Sequence, residues 1–185
     1  KADIPENRAR DWKNLQLITS KPVIYVCNVE EDSAESGNGL SAKVAEKAAA
    51  ENAEAVVISA RIEEELAQLD DAERLEYLET LGLQEPGLNR LIRQGYGLLD
   101  LITYFTAGPK ESRAWTVKRG TAAPQAAGVI HTDFERGFIK AETIAYADYT
   151  ELNGEAGARD AGRLRQEGKD YVVKDGDVML FRFNV

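Results

Sequence analysis

The sequence predicts two small domains of different class, an α/β portion with parallel strands followed by an α+β portion. Three observations predict this. Two continuous β-branched and apolar runs, at 23–27 and 55–58, flank an alanine-rich helical stretch. After about residue 101 the texture changes to short β-rich runs punctuated by Gly120, Gly128, Gly137, Gly154 and Gly176. The charge divides at the same place: residues 1–101 carry 11 basic and 20 acidic side chains, a net of −9, whereas residues 102–185 carry 12 of each. The boundary is therefore read near Leu101.

Taken in order, Pro22 introduces the first strand, whose unbroken apolar run is that of a strand buried on both faces of a parallel sheet. A polar loop rich in Glu, Ser, Gly and Asn follows from Asn28 to Gly39. Residues 40–52 read as a helix, with Leu40, Val44 and Ala48 at four-residue spacing. The second strand completes a βαβ unit, and in such sheets ligands bind beyond the carboxyl ends of the strands. Beyond Ala60 the chain reads as helical at 62–69 and 72–81, with Asp70-Asp71 as an N-cap region and Gly82 as a C-terminal cap. Glu63-Glu64-Glu65 reads as a solvated helix start favoured by the helix dipole. Leu88, Leu91, Ile92, Leu98, Leu99 and Ile102 form the apolar face of a third helix, interrupted by Gly95 and Gly97.

In the second portion, strands are expected at 103–106, 114–119, 137–146, 171–173 and 178–183, with short helices at 124–127 and 133–136. Lys174-Asp175-Gly176-Asp177 reads as an Asp-Gly hairpin turn. Strands gathered around one or two helices make a small β-grasp module.

Composition removes several classes of function. One cysteine, Cys27, and one histidine, His131, exclude an intramolecular disulfide framework, a multi-cysteine zinc cluster and a His–His metal site within one chain. Carboxylates could still hold Mg²⁺. Cys27, inside a strand, reads as a small buried hydrophobe. No apolar run approaches the ~20 residues of a membrane span. The charged start at 1–10 carries no apolar signal region. The reading is a soluble cytoplasmic protein with no membrane partner. A net charge of −9 argues against nucleic acid for the chain as a whole. Its confinement to residues 1–101 leaves a neutral second portion that could touch RNA, without sequence readout of DNA.

The densest chemistry lies at the two strand ends. Asn28 closes the first strand, and its amide offers both donor and acceptor to a purine edge. Glu31 follows three positions later. In Asn-Lys-x-Asp, the guanine-reading motif of GTPases, the acid accepts two ring protons. Here Val29 replaces the lysine and Glu31 the shorter aspartate, which relaxes or reverses guanine preference. Ser59-Ala60 closes the second strand, where such folds present backbone N–H groups to the base. In the second portion His131 reads mainly as a residue that fixes a turn beside Thr132-Asp133. Arg159, Arg163, Arg165 and Lys169 form a basic stretch among Glu155, Asp160, Glu167 and Asp170, read first as a solvated face of mixed sign. His131, Arg163, Arg165 and Lys169 are retained as a candidate interaction surface. Trp115, Phe138 and Tyr149 read as core rather than as base-stacking groups.

Longer strings carry a resemblance. Lys21-Pro22-Val23-Ile24-Tyr25-Val26-Cys27-Asn28-Val29-Glu30-Glu31-Asp32 resembles the base-recognition segment of the YchF-type Obg-like ATPases. The likeness runs through Val57-Ile58-Ser59-Ala60, Glu64-Glu65-Leu66, residues 101–108 and Arg113-Ala114-Trp115-Thr116. It is densest over Ala123-Pro124-Gln125-Ala126-Ala127-Gly128-Val129-Ile130-His131-Thr132-Asp133-Phe134-Glu135-Arg136-Gly137-Phe138-Ile139, and it ends with residues 168–178 and Phe183-Asn184-Val185.

The resemblance implies the C-terminal half of a P-loop G domain followed by a β-grasp TGS domain. On it, residues 1–20 are the end of a helical insertion, 21–78 the G-domain part, 79–101 a helical connector and 102–185 the TGS domain. It implies an ATP hydrolase that also accepts GTP, uses Mg²⁺ and associates with ribosomes or nucleic acid. Asn28, Val29, Glu31, Ser59 and Ala60 match the base-contact positions. No G-x-x-x-x-G-K-[ST] occurs in the 185 residues, and no Walker-B Asp or Mg²⁺-holding Ser/Thr can be matched. The expectation is a C-terminal portion that carries no catalytic residue and does not hydrolyse ATP alone. The other reading, a non-enzymatic binding module for RNA, ribosome or protein partners, stands beside it.

Overall fold

The computed structural model describes residues 5–184 and divides the chain into two compact units, Lys1–Leu99 and Asp100–Val185. The first four residues of the charged start, and the Val185 that closes the family-like C-terminus, lie outside the described residues.

The first unit opens with α1 (Ala9–Asn14) between two single 3₁₀ turns. Then come β1 (Ile24–Asn28), a 3₁₀ turn at Glu31–Ser33, α2 (Gly39–Glu51), β2 (Glu54–Ile58), α3 (Ala60–Leu66), α4 (Asp71–Thr80) and α5 (Gly87–Leu98). β1 and β2 pair in parallel from Ile24↔Glu54 to Asn28↔Ile58, so the two strands end side by side. Two of its helices, α2 and α4, start on side-chain caps. Asn38 Oδ1 accepts the Leu40 and Ser41 N–H groups, each at 3.0 Å, and Asp70 Oδ1 accepts those of Ala72 and Glu73 at 2.9 and 3.0 Å. Ala34, Ile62, Leu66, Leu78 and Leu83 form the core, with Tyr77 and Leu81 packed against it. Gly82, at φ 71°, ends α4 in the left-handed region as its glycine suggests.

Three readings of this unit are corrected. β1 is not enclosed on both faces: Val26 is 45 % exposed and Cys27 is only half-buried. A β-branched run dictates extended backbone, whereas enclosure needs neighbours, and among the described residues β1 pairs with β2 alone. The third helix stops at Leu98, because Asp100 turns the chain at φ 54° and Ile102 enters the next strand, 1 % exposed. The Glu63-Glu64-Glu65 run is more than a solvated start. Glu63 Oε1 accepts the Gly87 N–H at 2.7 Å and so satisfies a free donor at the start of α5.

The second unit holds β3 (Leu101–Ala107), β4 (Ser112–Lys118), α6 (Ala123–Ile130), α7 (Thr132–Arg136), β5 (Phe138–Ala145), α8 (Tyr146–Glu151), α9 (Glu155–Asp160), β6 (Arg165–Glu167) and β7 (Asp177–Phe183). The sheet order is β4-β3-β7-β5-β6, with β3 and β7 parallel and the other neighbours antiparallel. This is the β-grasp arrangement. Ile102, Tyr104, Val117, Ala126, Phe138, Met179 and Phe181 are among its buried core. Tyr104 is fully buried, its ring meets Phe181 edge-on at 5.9 Å, and its hydroxyl donates to the Ala126 carbonyl at 2.8 Å.

Residues 171–173 are not a strand. Their composition is strand-like, but Val172 makes only an isolated bridge to Ala122, and the fourth strand is the polar Arg165–Glu167. The Asp-Gly turn therefore joins no hairpin. It docks on β3 instead, where Asp175 Oδ1 accepts the Thr103 N–H and Gly176 donates to the Thr103 carbonyl, each at 2.8 Å.

Candidate nucleotide-base site

The parallel register brings Asn28 and Ile58 level, and the two following loops leave the sheet together. Val29 N–H donates to the Ile58 carbonyl at 2.9 Å, extending the pairing by one bond. Asn28 Oδ1 accepts the Ala60 N–H at 2.9 Å, so one side chain staples the end of β1 to the start of α3. That bond fixes the amide orientation: the oxygen faces Ala60, and the Nδ2 of this exposed residue is left to donate.

The same geometry bears on the residues at the end of the second strand. The Ala60 N–H is donated to Asn28 Oδ1. Ser59 is 3 % exposed, and its hydroxyl has no hydrogen-bond partner among the described residues, so its side chain is turned into the protein. Val29, 9 % exposed, is likewise a packing residue beneath the loop.

Glu31 sits at the start of the 3₁₀ turn and is occupied too. Arg61 Nε lies 2.7 Å from Glu31 Oε1 and 3.8 Å from Glu65 Oε1. Tyr77 donates its hydroxyl to Glu65. The hydrogen bond to Glu65 pushes the Tyr77 hydroxyl up to about 12, with smaller upward contributions from burial and from the Glu65 and Glu31 charges; Arg61 opposes them. The result is a chain of alternating partners, Glu31–Arg61–Glu65–Tyr77, running from the loop after β1 to α4. Arg61 and Tyr77 are members that the sequence did not single out.

Comparison with known proteins identifies the framework. The family YchF-GTPase_C, described as "Protein of unknown function (DUF933)", matches residues 101–184. The chain is 59% identical over 173 residues to "Ribosome-binding ATPase YchF" of Haemophilus influenzae, covering 94% of this chain and 47% of that protein. It is 55% identical over 185 residues to the Bacillus subtilis protein of the same name, covering 99% of this chain and 50% of that one. The solved "Structure of the Schizosaccharomyces pombe YchF GTPase" superposes with a TM-score of 0.83 at 36% identity, over 98% of this chain and 49% of that chain. The chain belongs to the YchF family. It spans about half the length of the curated relatives it matches.

With the YchF framework in place, the remaining candidates can be located. Among the described residues no cluster of three or more His, Cys, Asp or Glu side chains could hold a metal ion. No helix among them is long and apolar enough to cross a membrane. His131 is itself the N-cap of α7: its Nδ1 accepts the Asp133 N–H at 3.2 Å. Arg163 lies 3.8 Å from Asp148, and Arg165 contacts Glu167 at 2.9 Å, Tyr171 at 3.2 Å and the buried Asp177 at 3.5 Å. Arg159 pairs with Glu155 at 2.6 Å. Lys169 is exposed. Phe138 is buried, and Trp115 packs against the core with its Nε1 donating to Thr106 at 2.9 Å.

Proposed function

We propose that this chain is the base-reading portion of a YchF nucleotide-binding ATPase, joined to the TGS interaction module of the same protein. The observation that carries the reading is the Asn28–Ala60 staple, which engages the amide oxygen and leaves the Nδ2 of an exposed side chain to donate. That donor suits purine N7, an acceptor in adenine and guanine alike, so Asn28 holds a purine without choosing between the two. The choice falls to the groups beside it, Glu31 and Arg61. ATP and GTP are thus both ligands of the parent protein, with Mg²⁺ held by residues outside this portion.

The 185 residues supply no phosphate cradle, so most of a nucleotide stays unheld and binding is weak. Turnover belongs to the longer protein. Calorimetric titration tests the assignment: ATP is expected to bind weakly but saturably to this chain, and about tenfold more weakly to Asn28→Asp. Turnover that stays with the purified chain through removal of contaminants would overturn it.

The names of the bacterial relatives support ribosome association in the cytoplasm. The feature of the second unit that favours RNA is the exposed Arg113 guanidinium stacked 4.3 Å from the Trp115 ring, a surface on which a base could lie. RNA binding by residues 102–185 that weakens steeply with salt would support this contact, and salt-independent binding would exclude it.

A further inference from the structure

We propose that Arg61 sets the base preference of this site by occupying Glu31, so that the carboxylate is withheld from guanine. The inference rests on the base-site reading above and deepens it. Guanine presents two neighbouring donors, N1–H and the N2 amino group, and a free carboxylate accepts both through its two oxygens. Adenine presents an acceptor at N1 and one amino donor at N6. In this site Glu31 Oε1 is already ion-paired with Arg61, whose Nε lies 2.7 Å away, so a bidentate grip on guanine first requires that pair to open. Arg61 also brings a fixed positive charge to the same place. Positive charge repels the donor edge of guanine and tolerates the N1 acceptor of adenine.

The arrangement holds Arg61 from two sides. Glu65 stands 3.8 Å from the same guanidinium nitrogen, one helical turn further along α3. Glu65 is in turn fixed by the Tyr77 hydroxyl from α4. Arg61 therefore has a preferred resting place between two carboxylates. Its side chain is 74% exposed and that of Glu31 38%, which limits the strength of the pair and hence the size of the preference. An exposed pair of this kind is worth up to about 1 kcal/mol, which corresponds to roughly fivefold in relative affinity.

The test is a pair of titrations, ATP and GTP separately, on the 185-residue chain and its variants, reading the ratio of the two dissociation constants. Arg61→Ala is expected to shift the ratio toward GTP by about fivefold. Adding Glu31→Gln to that variant should abolish the shift, because the freed carboxylate is what guanine gains. Arg61→Lys, which keeps the charge, should retain most of the adenine preference. If Arg61→Ala fails to fold, Arg61→Gln carries the same comparison. An unchanged ratio on removing Arg61, or a shift that survives Glu31→Gln, overturns the proposal and leaves the base site standing. Failure of the unsubstituted chain to bind either nucleotide overturns the base site and this proposal together.

Discussion

On the function proposed above Asn28 has two tasks for two atoms, and substitution can separate them. Its oxygen holds the Ala60 N–H and its Nδ2 is left to donate. Asn28→Asp keeps an acceptor for Ala60 but replaces the Nδ2 donor with an anion. Its thermal stability should therefore stay within about 0.5 kcal/mol of the parent, while ATP binding falls roughly tenfold. Asn28→Ala loses both and should also cost about 1 kcal/mol in a urea melt. A second residue-scale expectation concerns Tyr171, pushed up to about 12 first by burial and then by its hydrogen bond to the Asp177 carboxylate at 2.7 Å. A folded pKa above the usual tyrosine value of about 10 means that the folded state favours the neutral phenol. Its contribution is therefore complete below about pH 10 and lost as pH rises through about 12. Alkaline titration followed by tyrosinate absorbance and circular dichroism should show the second unit losing stability over that window, and Tyr171→Phe should flatten the dependence. At this scale Asn28 was legible because a polar residue ending an apolar strand is conspicuous. Arg61 was not, because its partner Glu31 lies 30 positions earlier and only the parallel register brings them together.

Elements were readable where local chemistry decides them. Both flanking strands of the βαβ unit follow from β-branched runs, and α4 follows from Asp70, which caps it through Ala72 and Glu73. Asp70→Ala should cost about 1 kcal/mol in chemical denaturation of the first unit. Elements set by tertiary pairing were not readable. β6 is three polar residues held by Ala141, Glu142 and Thr143 of β5, so nothing in Arg165-Gln166-Glu167 itself announces a strand. α8 and α9 are six residues each, too short to display an apolar stripe. The end of α5 was misplaced because Leu98, Leu99 and Ile102 keep helical spacing across the left-handed Asp100. Gly137 marks a different constraint. A Cβ there would lie 2.1 Å from the Asn184 carbonyl oxygen, at the end of the β5–β7 pair. Gly137→Ala must push the two strands apart and should cost about 2–3 kcal/mol, read as a lower urea midpoint with an unchanged slope.

At the scale of the whole chain, the two units differ most in how much apolar surface they bury. Among the described residues the first buries eight apolar side chains, two of them alanines, whereas the second buries fourteen, five of them alanines but with Tyr104, Phe138, Met179 and Phe181 among the rest. Each large side chain fully withdrawn from water contributes about 1.5–3 kcal/mol, so the second unit should be the more stable. Heating should therefore produce two transitions, the first unit unfolding before the second. The chain's two tryptophans report them separately, Trp12 in the first unit and Trp115 in the second. Trp12→Phe leaves a fluorescence change that follows only the later transition. A nucleotide that binds at Asn28 stabilises only the unit that holds it, by about 2.7 kcal/mol at a hundredfold excess over its dissociation constant. ATP should thus raise the lower transition and leave the upper one in place, and this connects the base site to the fold without any measurement of turnover. A single transition reported equally by both tryptophans would contradict the difference in cores. A rise of the upper transition alone would place the nucleotide in the β-grasp unit instead.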